Sequence, residues 1–375
     1  MLKSIKLVNT TSVESLSQIW AERYVPDLST LSLQNSQCSV SELVEAASPQ
    51  GREQTIAKLS RTIEINCKCA GIQTSVMFSY IPNVVNLTES QGIARAAGLV
   101  YEKVLEVYEV QSPPLTLQVA KSQAETIELF SNLQASSAKL GLTVSEVKQL
   151  AIVLEPVLLE FQRQYLSSPD RRAVGFLSTQ FHLSSKLVLN RLTLAEQMLV
   201  SPYFKFVEEQ VCIPWQRVCG AAANYELDSP RLALVQQLLP KSQDIAEAVY
   251  QRAVKLYPNH RSRRGRLSNG DIKLSTVRDL QMFQGYLSLC VLEESMASVQ
   301  DELLPLCTMV FPAVEVSWEL VEQMTRLLMD EVLARVSNEY KSLLVPYTTA
   351  MQQLFSKSDT NCVSEAALKK LGVRG

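Results

Sequence analysis

The stretch Ser48-Pro49-Gln50-Gly51-Arg52-Glu53-Gln54-Thr55-Ile56-Ala57-Lys58-Leu59-Ser60-Arg61-Thr62-Ile63-Glu64-Ile65-Asn66-Cys67 decides the fold class. Serine at the cap satisfies one orphan amide of a helix start, and proline at the first helical position omits another. Ile56, Leu59, Ile63 and Cys67 then recur at three- and four-residue spacing, the buried stripe of an amphipathic helix. Gly71 is placed to stop it.

Toward the N-terminus the pattern thins. Val13 to Tyr24 fits a short helix ended by Pro26, and a polar, serine-rich stretch runs from Ser29 to Ser41. Beyond the opening helix, Val76-Met-Phe-Ser-Tyr-Ile81 suits a strand or a buried helix, because periodicity does not separate the two over so short a run. A minor β element in the N-terminal region therefore stays open. Thr88-Glu-Ser-Gln91 has the form of a capping box, with Leu87 as its staple. The helix it would open carries Ile93, Ala97, Val100, Val104 and Val107 on one side.

Ser112-Pro113-Pro114 is the strongest break, since each proline pushes the residue before it out of the helical region. It divides an expected N-terminal helical subdomain, 1–111, from a main helical domain, 115–357, followed by a flexible tail, 358–375. Leu117 to Leu140 reads as one helix stopped by Gly141. Thr143-Val-Ser-Glu146 opens another toward Tyr165, with Pro156 expected to kink or split it. Ser168-Pro169, Ser201-Pro202 and Ser229-Pro230 repeat the helix-start signal at intervals of about thirty residues, as stacked helical hairpins would. No side-chain pattern repeats at that period, which favours a bundle over a solenoid. Asp244–Tyr257, Leu274–Met296, Leu303–Phe311, Val316–Val336 and Tyr347–Phe355 complete the helices. The fold class is all-α, a multi-helix bundle.

A net charge of −2 gives no global field toward nucleic acid or acidic membrane. The eight cysteines fall mostly on apolar helical faces, as free thiols do in a reducing compartment. The N-terminus lacks a secretory pattern, and no uncharged apolar run reaches the roughly 18–20 residues of a membrane span. A cytoplasmic protein is expected.

Several chemistries lack their residues. Cys67 and Cys69 point to different sides of a helix, and Cys212 and Cys219 have no second ligand pair, so no metal site is expected. Twelve scattered glycines form no phosphate-cradling loop, and no cofactor is expected. His182 and His260 are the only histidine bases, and neither sits in a catalytic spacing motif. The adjacent carboxylates Glu208-Glu209 and Glu293-Glu294 read as solvated. These absences favour a non-enzymatic protein, with an enzyme of no recognisable motif, its bases His182 and His260, as an alternative.

One loop concentrates charge. Pro258-Asn259-His260-Arg261-Ser262-Arg263-Arg264-Gly265-Arg266-Leu267-Ser268-Asn269-Gly270 holds four arginines and a histidine. Guanidinium groups grip carboxylate or phosphate bidentately, so His260, Arg261, Arg263, Arg264 and Arg266 are the candidate site for an acidic or phosphorylated protein partner. A merely solvated loop is the bland alternative. Nucleic-acid binding is a third reading, weakened by the lack of interleaved aromatics and the small charge footprint. A helix-turn-helix at Lys139 to Leu154 would need more basic side chains than Lys148. Tyr203, Phe204, Phe206 and Trp215 are candidates for an aromatic binding patch, with helix core as the competing reading.

Ser201 to Pro240, Asn259-His-Arg-Ser-Arg-Arg-Gly265 and Arg278-Asp-Leu-Gln-Met-Phe283 together resemble a helical family associated with cyanobacteria. The resemblance covers roughly the last half of the chain. It implies a cytoplasmic setting in a photosynthetic bacterium, brings no reaction or ligand, and leaves the first 110 residues unassigned.

Overall fold

A computed structural model describes residues 7–8, 10–26, 38–79, 86–111, 140–165 and 172–356. They fall into two compact units, one within 17–212 and one of 7–16 with 213–356. The expected break at Ser112-Pro113-Pro114, residues 117–139 of the expected helix before Gly141, and the tail 358–375 lie outside the described residues.

In the first unit the helices are α2 (Val40–Ala47), α3 (Pro49–Ser60), α4 (Ile63–Phe78), α5 (Leu87–Val110), α6 (Val144–Tyr165), α7 (Arg172–Leu189) and α8 (Leu194–Cys212). α1 (Thr11–Ala21) contributes its later residues here and its earlier ones to the other unit. Ser48 caps α3 by accepting from the Gly51 amide, with Pro49 at the first position, as expected. The helix ends at Ser60, however, and Ile63 begins a separate α4, so the stripe Ile56–Cys67 belongs to two helices. α4 runs through Gly71 to Phe78, so Val76 to Phe78 are helix, while Tyr80 and Ile81 of that run lie outside the described residues. Gly71 is needed there for contact instead: a Cβ on it would stand 3.1 Å from the Cβ of Ala94 on α5. α4 packs on α5 and α7, and α5 packs on α6.

Caps explain the remaining boundaries. α2, unread in the sequence, starts with a capping box between Ser39 and Glu42. α5 starts with one between Asn86 and Glu89, two residues earlier than expected, because the asparagine amide oxygen reaches the Glu89 N–H at 2.9 Å. The Thr143–Glu146 box is present, and α6 continues unsplit past Pro156. Ser201-Pro202 starts nothing: it lies inside α8, which opens at a box of Thr193 and Glu196.

The second unit holds α9 (Trp215–Ala221), α10 (Pro230–Leu238), α11 (Ser242–Leu256), a hairpin of β1 (Arg261–Ser262) and β2 (Gly265–Arg266), α12 (Gly270–Glu293), a π-helical turn (Val299–Leu303), α13 (Leu304–Ala313), α14 (Trp318–Arg335) and α15 (Asn338–Leu354). Ser229-Pro230 does start a helix, with Ser229 at the cap. α12 is the central element: Tyr286, Leu289, Cys290 and Val291 are fully buried, and α9, α10, α11 and α15 all touch it. Gly285 lets α12 pass close to Ile213 and Pro214, where a Cβ would meet Ile213 at 2.8 Å. Among the described residues the protein is all-α apart from the two-strand hairpin, and no helix is long and apolar enough to cross a membrane.

Candidate functional site

The arginine loop folds as an antiparallel hairpin between α11 and α12. Arg261 pairs with Arg266 and Ser262 with Gly265, leaving Arg263 and Arg264 at the turn. Gly265 has φ 134°, backbone that only glycine adopts without strain. The hairpin base is tied down by the Leu267 amide donating to the His260 carbonyl at 3.2 Å. The Tyr250 hydroxyl on α11 donates to the Leu267 carbonyl at 2.8 Å.

The four arginines have different fates. At the turn, the Arg263 amide donates to the Val314 carbonyl at 3.1 Å, and its guanidinium pairs with Glu315 at 3.0 Å. Glu315 adopts a left-handed φ of 59° just past the end of α13. Arg264 is half-buried and faces Asp279 on α12. Burial pushes the Asp279 carboxyl above its usual range, opposed by the Arg278 and Arg264 guanidiniums. Arg278 lies 3.6 Å from the same carboxylate.

Arg261 and Arg266 are exposed, and neither forms an ion pair with another described residue. They stand opposite each other on the ladder, where Cβ atoms approach to about 5 Å and like charges are destabilising. His260, at the base, is half-buried with Nε2 unpartnered. Burial lowers its pKa, so the imidazole favours its neutral form. The hairpin therefore offers two free guanidiniums, side by side, on a turn anchored by the other two.

The aromatic candidates are a correction. Tyr203, Phe204 and Phe206 are 4%, 0% and 0% exposed, and Trp215 is 1% exposed. They are core and form no surface patch. Phe206 packs between Trp20 and Tyr24, Phe204 against Tyr101, and Tyr203 edge-on to Tyr108. On one helix, three aromatics so closely spaced point around the axis, and α8 is surrounded.

Of the carboxylates read as solvated, Glu209 is a correction, whereas Glu293 and Glu294 are exposed. Glu209 is buried and ion-paired with the equally buried Arg23 at 3.0 Å, while Glu208 holds His182 Nδ1 at 3.1 Å. His182 is half-buried on α7 and makes that one side-chain hydrogen bond. Glu293 accepts from Ser298 at 2.7 Å and lies 3.8 Å from Arg217. Arg217 is itself buried and donates to Glu302 at 2.9 Å, to which the Tyr286 hydroxyl also donates at 3.1 Å. This network ties α9, α12 and the π-helical turn together, and a residue-by-residue reading of the sequence has no means to see it. Among the described residues no three His, Cys, Asp or Glu side chains gather as metal ligands would. One small hollow, between Trp215, Leu238, Gln284, Leu287, Ser288 and Val332, has room for about a single water.

The phycobilisome protein family matches residues 220–354, a little over a third of the chain. The matched stretch lies inside the unit that carries the hairpin and accords with the resemblance to a cyanobacterial helical family. No curated protein and no solved structure matches.

Proposed function

We propose that the protein is a non-enzymatic, phycobilisome-type helical protein that works by assembling with other proteins. Its hairpin holds an acidic or phosphorylated segment of a partner. The family match over residues 220–354 supports protein assembly as the general role. The observation that carries the finer reading is the pair Arg261 and Arg266: two exposed guanidiniums directly across one ladder, with no acid of their own chain among the described residues. Such a pair costs stability until an anion bridges it, and a carboxylate or phosphate does so with bidentate geometry. Arg263 and Arg264 set the turn, through Glu315 and the Asp279 side, and do not compete for the same ligand.

The test is fluorescence anisotropy with a labelled phosphoserine peptide, a glutamate-rich peptide and a neutral control, on intact protein and on Arg261→Gln/Arg266→Gln. At least a tenfold loss of affinity for the anionic peptides, with the melting temperature kept, is expected. Equal binding by both proteins overturns the reading. Preferential binding to duplex DNA that collapses with added salt moves the function to nucleic acid.

A further inference from the structure

Between Pro258 and Thr276 the chain has three serines, and the fold treats them differently. Ser262 is buried in the ladder, where its hydroxyl donates to the Gly265 carbonyl at 3.3 Å. Ser275 lies inside α12 and donates to the Ile272 carbonyl at 3.0 Å. Ser268, between β2 and α12, is exposed, and its hydroxyl makes no hydrogen bond with another described residue. Arg263, Arg264 and Arg266 all fall within the five residues before it. Arginines just ahead of an exposed serine are the charge pattern by which basic-directed protein kinases choose a substrate.

The surroundings suit a phosphate on that hydroxyl. The Asn269 amide donates to the Arg266 carbonyl at 2.9 Å, closing a tight turn with Ser268 inside it. Residues two apart have Cα atoms within about 7 Å of each other, a distance an arginine side chain spans. Arg261, directly across the ladder from Arg266, projects from the same face. Ser268 also stands one residue before the cap of α12. Asn269 occupies that cap without a side-chain hydrogen bond; its amide nitrogen lies beside Gly265 instead, where a Cβ would meet it at 2.5 Å. The cap side chain thus leaves the first-turn amides of this 24-residue helix to another acceptor, and a Cβ on Gly270 would meet nothing within 4 Å. Asp271 puts one negative charge in that turn, against the two guanidiniums. We propose that Ser268 is a phosphorylation site, and that its phosphate takes Arg261 and Arg266, backed by the positive end of α12, and so displaces the acidic partner. The kinase moves the γ-phosphoryl group of a nucleoside triphosphate: the Oγ–P bond forms, the bond from Pγ to the bridging oxygen breaks, the nucleoside diphosphate leaves, and the hydroxyl proton passes to the kinase's base. The switch rests on the function proposed above; the docking of the phosphate on its own chain does not.

The full chain with phosphoserine genetically encoded at position 268 tests the site without a kinase. Its 31P resonance, followed against pH, gives the second ionisation of the phosphate, which lies near 6 when no cation is close. It is expected to be lower by about half a unit or more, and to return toward 6 in Arg261→Gln/Arg266→Gln. Equal values in the two proteins overturn the docking, whatever the protein's partner. In fluorescence anisotropy with the glutamate-rich peptide, the phosphorylated chain is expected to bind roughly tenfold more weakly than the unmodified one, or less. Undiminished binding overturns the switch. No binding by the unmodified chain overturns the function proposed above and the switch with it, and the 31P titration still decides the docking. Treated with ATP and a serine kinase directed by arginines ahead of its target, the unmodified chain is expected to gain a phosphate located on Ser268 by mass spectrometry, and Ser268→Ala to gain none there. A chain left unmodified at Ser268 overturns the assignment of the site.

Discussion

The hairpin at Arg261–Arg266 and the outer face of α4 both keep in water what folding usually hides or neutralises, and they do so with opposite chemistries. The hairpin holds two like charges against each other without a counter-ion among the described residues. α4 holds the β-branched apolar side chains of Ile65, Ile72 and Val76 against solvent, while its inner face buries Asn66, Gly71 and Thr74. The difference teaches where each feature's information resides. Charge density is local, so four arginines within six residues are visible in the sequence alone. An apolar row on a helix is visible too, but the sequence does not say which row faces in.

The largest expected effect tests that distinction on two adjacent residues. Gly71→Leu would force a side chain into a place where even a Cβ stands 3.1 Å from Ala94 and 3.3 Å from Gln180 Oε1. Overpacking of this kind costs about 1–3 kcal/mol or more, read as a lower urea midpoint. Ile72→Ser, one residue along, should stay within about 0.5 kcal/mol. Equal costs at both positions would mean α4 has no solvent face, and the comparison would fail.

The hairpin gives the next effect. Gly265→Ala places a side chain at φ 134°, which only glycine tolerates, and should cost about 1–3 kcal/mol. Because the strain lies in the hairpin itself, anionic-peptide binding should fall with it. A neutral outcome would show that the hairpin backbone relaxes freely and does not pre-position Arg261 and Arg266.

How much was legible follows from the range of each interaction. The Ser48-Pro49 start and the Thr143–Glu146 box were readable because cap signals act over three or four residues. The Ser39–Glu42 box obeys the same rule, yet it sits at the end of a polar, serine-rich stretch in which no one serine stands out as a cap. Gly71 and Ser201-Pro202 misled because a glycine or proline signal is equally a packing choice, and only the neighbouring helix decides. Glu209 looked like a surface acid because its partner, Arg23, is 186 residues away, and the buried Arg217–Glu302 pair, 85 residues apart, leaves no local signal at all. At the candidate site, the arginines were legible and their division was not. Glu315 and Asp279 are brought to the turn by tertiary structure, and they separate two anchoring arginines from two free ones.

That division predicts a smaller effect of opposite sign. Arg261→Gln/Arg266→Gln removes a like-charge pair and should raise stability by a few tenths of a kcal/mol at low salt. The gain should vanish in about 1 M salt, where the screening length falls to about 3 Å. A loss of stability would mean that both side chains serve the fold, and the contrast between free and anchored arginines would collapse.

The smallest effect belongs to His260. Its Nε2 is buried without an acceptor, and burial lowers its pKa below the usual value near 6.5. The unfolded chain therefore binds a proton more readily than the folded one. Stability is fully present above about pH 6.5 and declines as pH falls from there toward the depressed folded value. His260→Gln cannot titrate, so the difference in stability between intact protein and variant should change with pH only in that window; His182 is common to both and cancels. Urea midpoints measured from about pH 7.5 to 5 read the slope. If the two curves run parallel, the imidazole at the hairpin base takes up its proton as easily folded as unfolded, and the base of the hairpin is as wet as its tip.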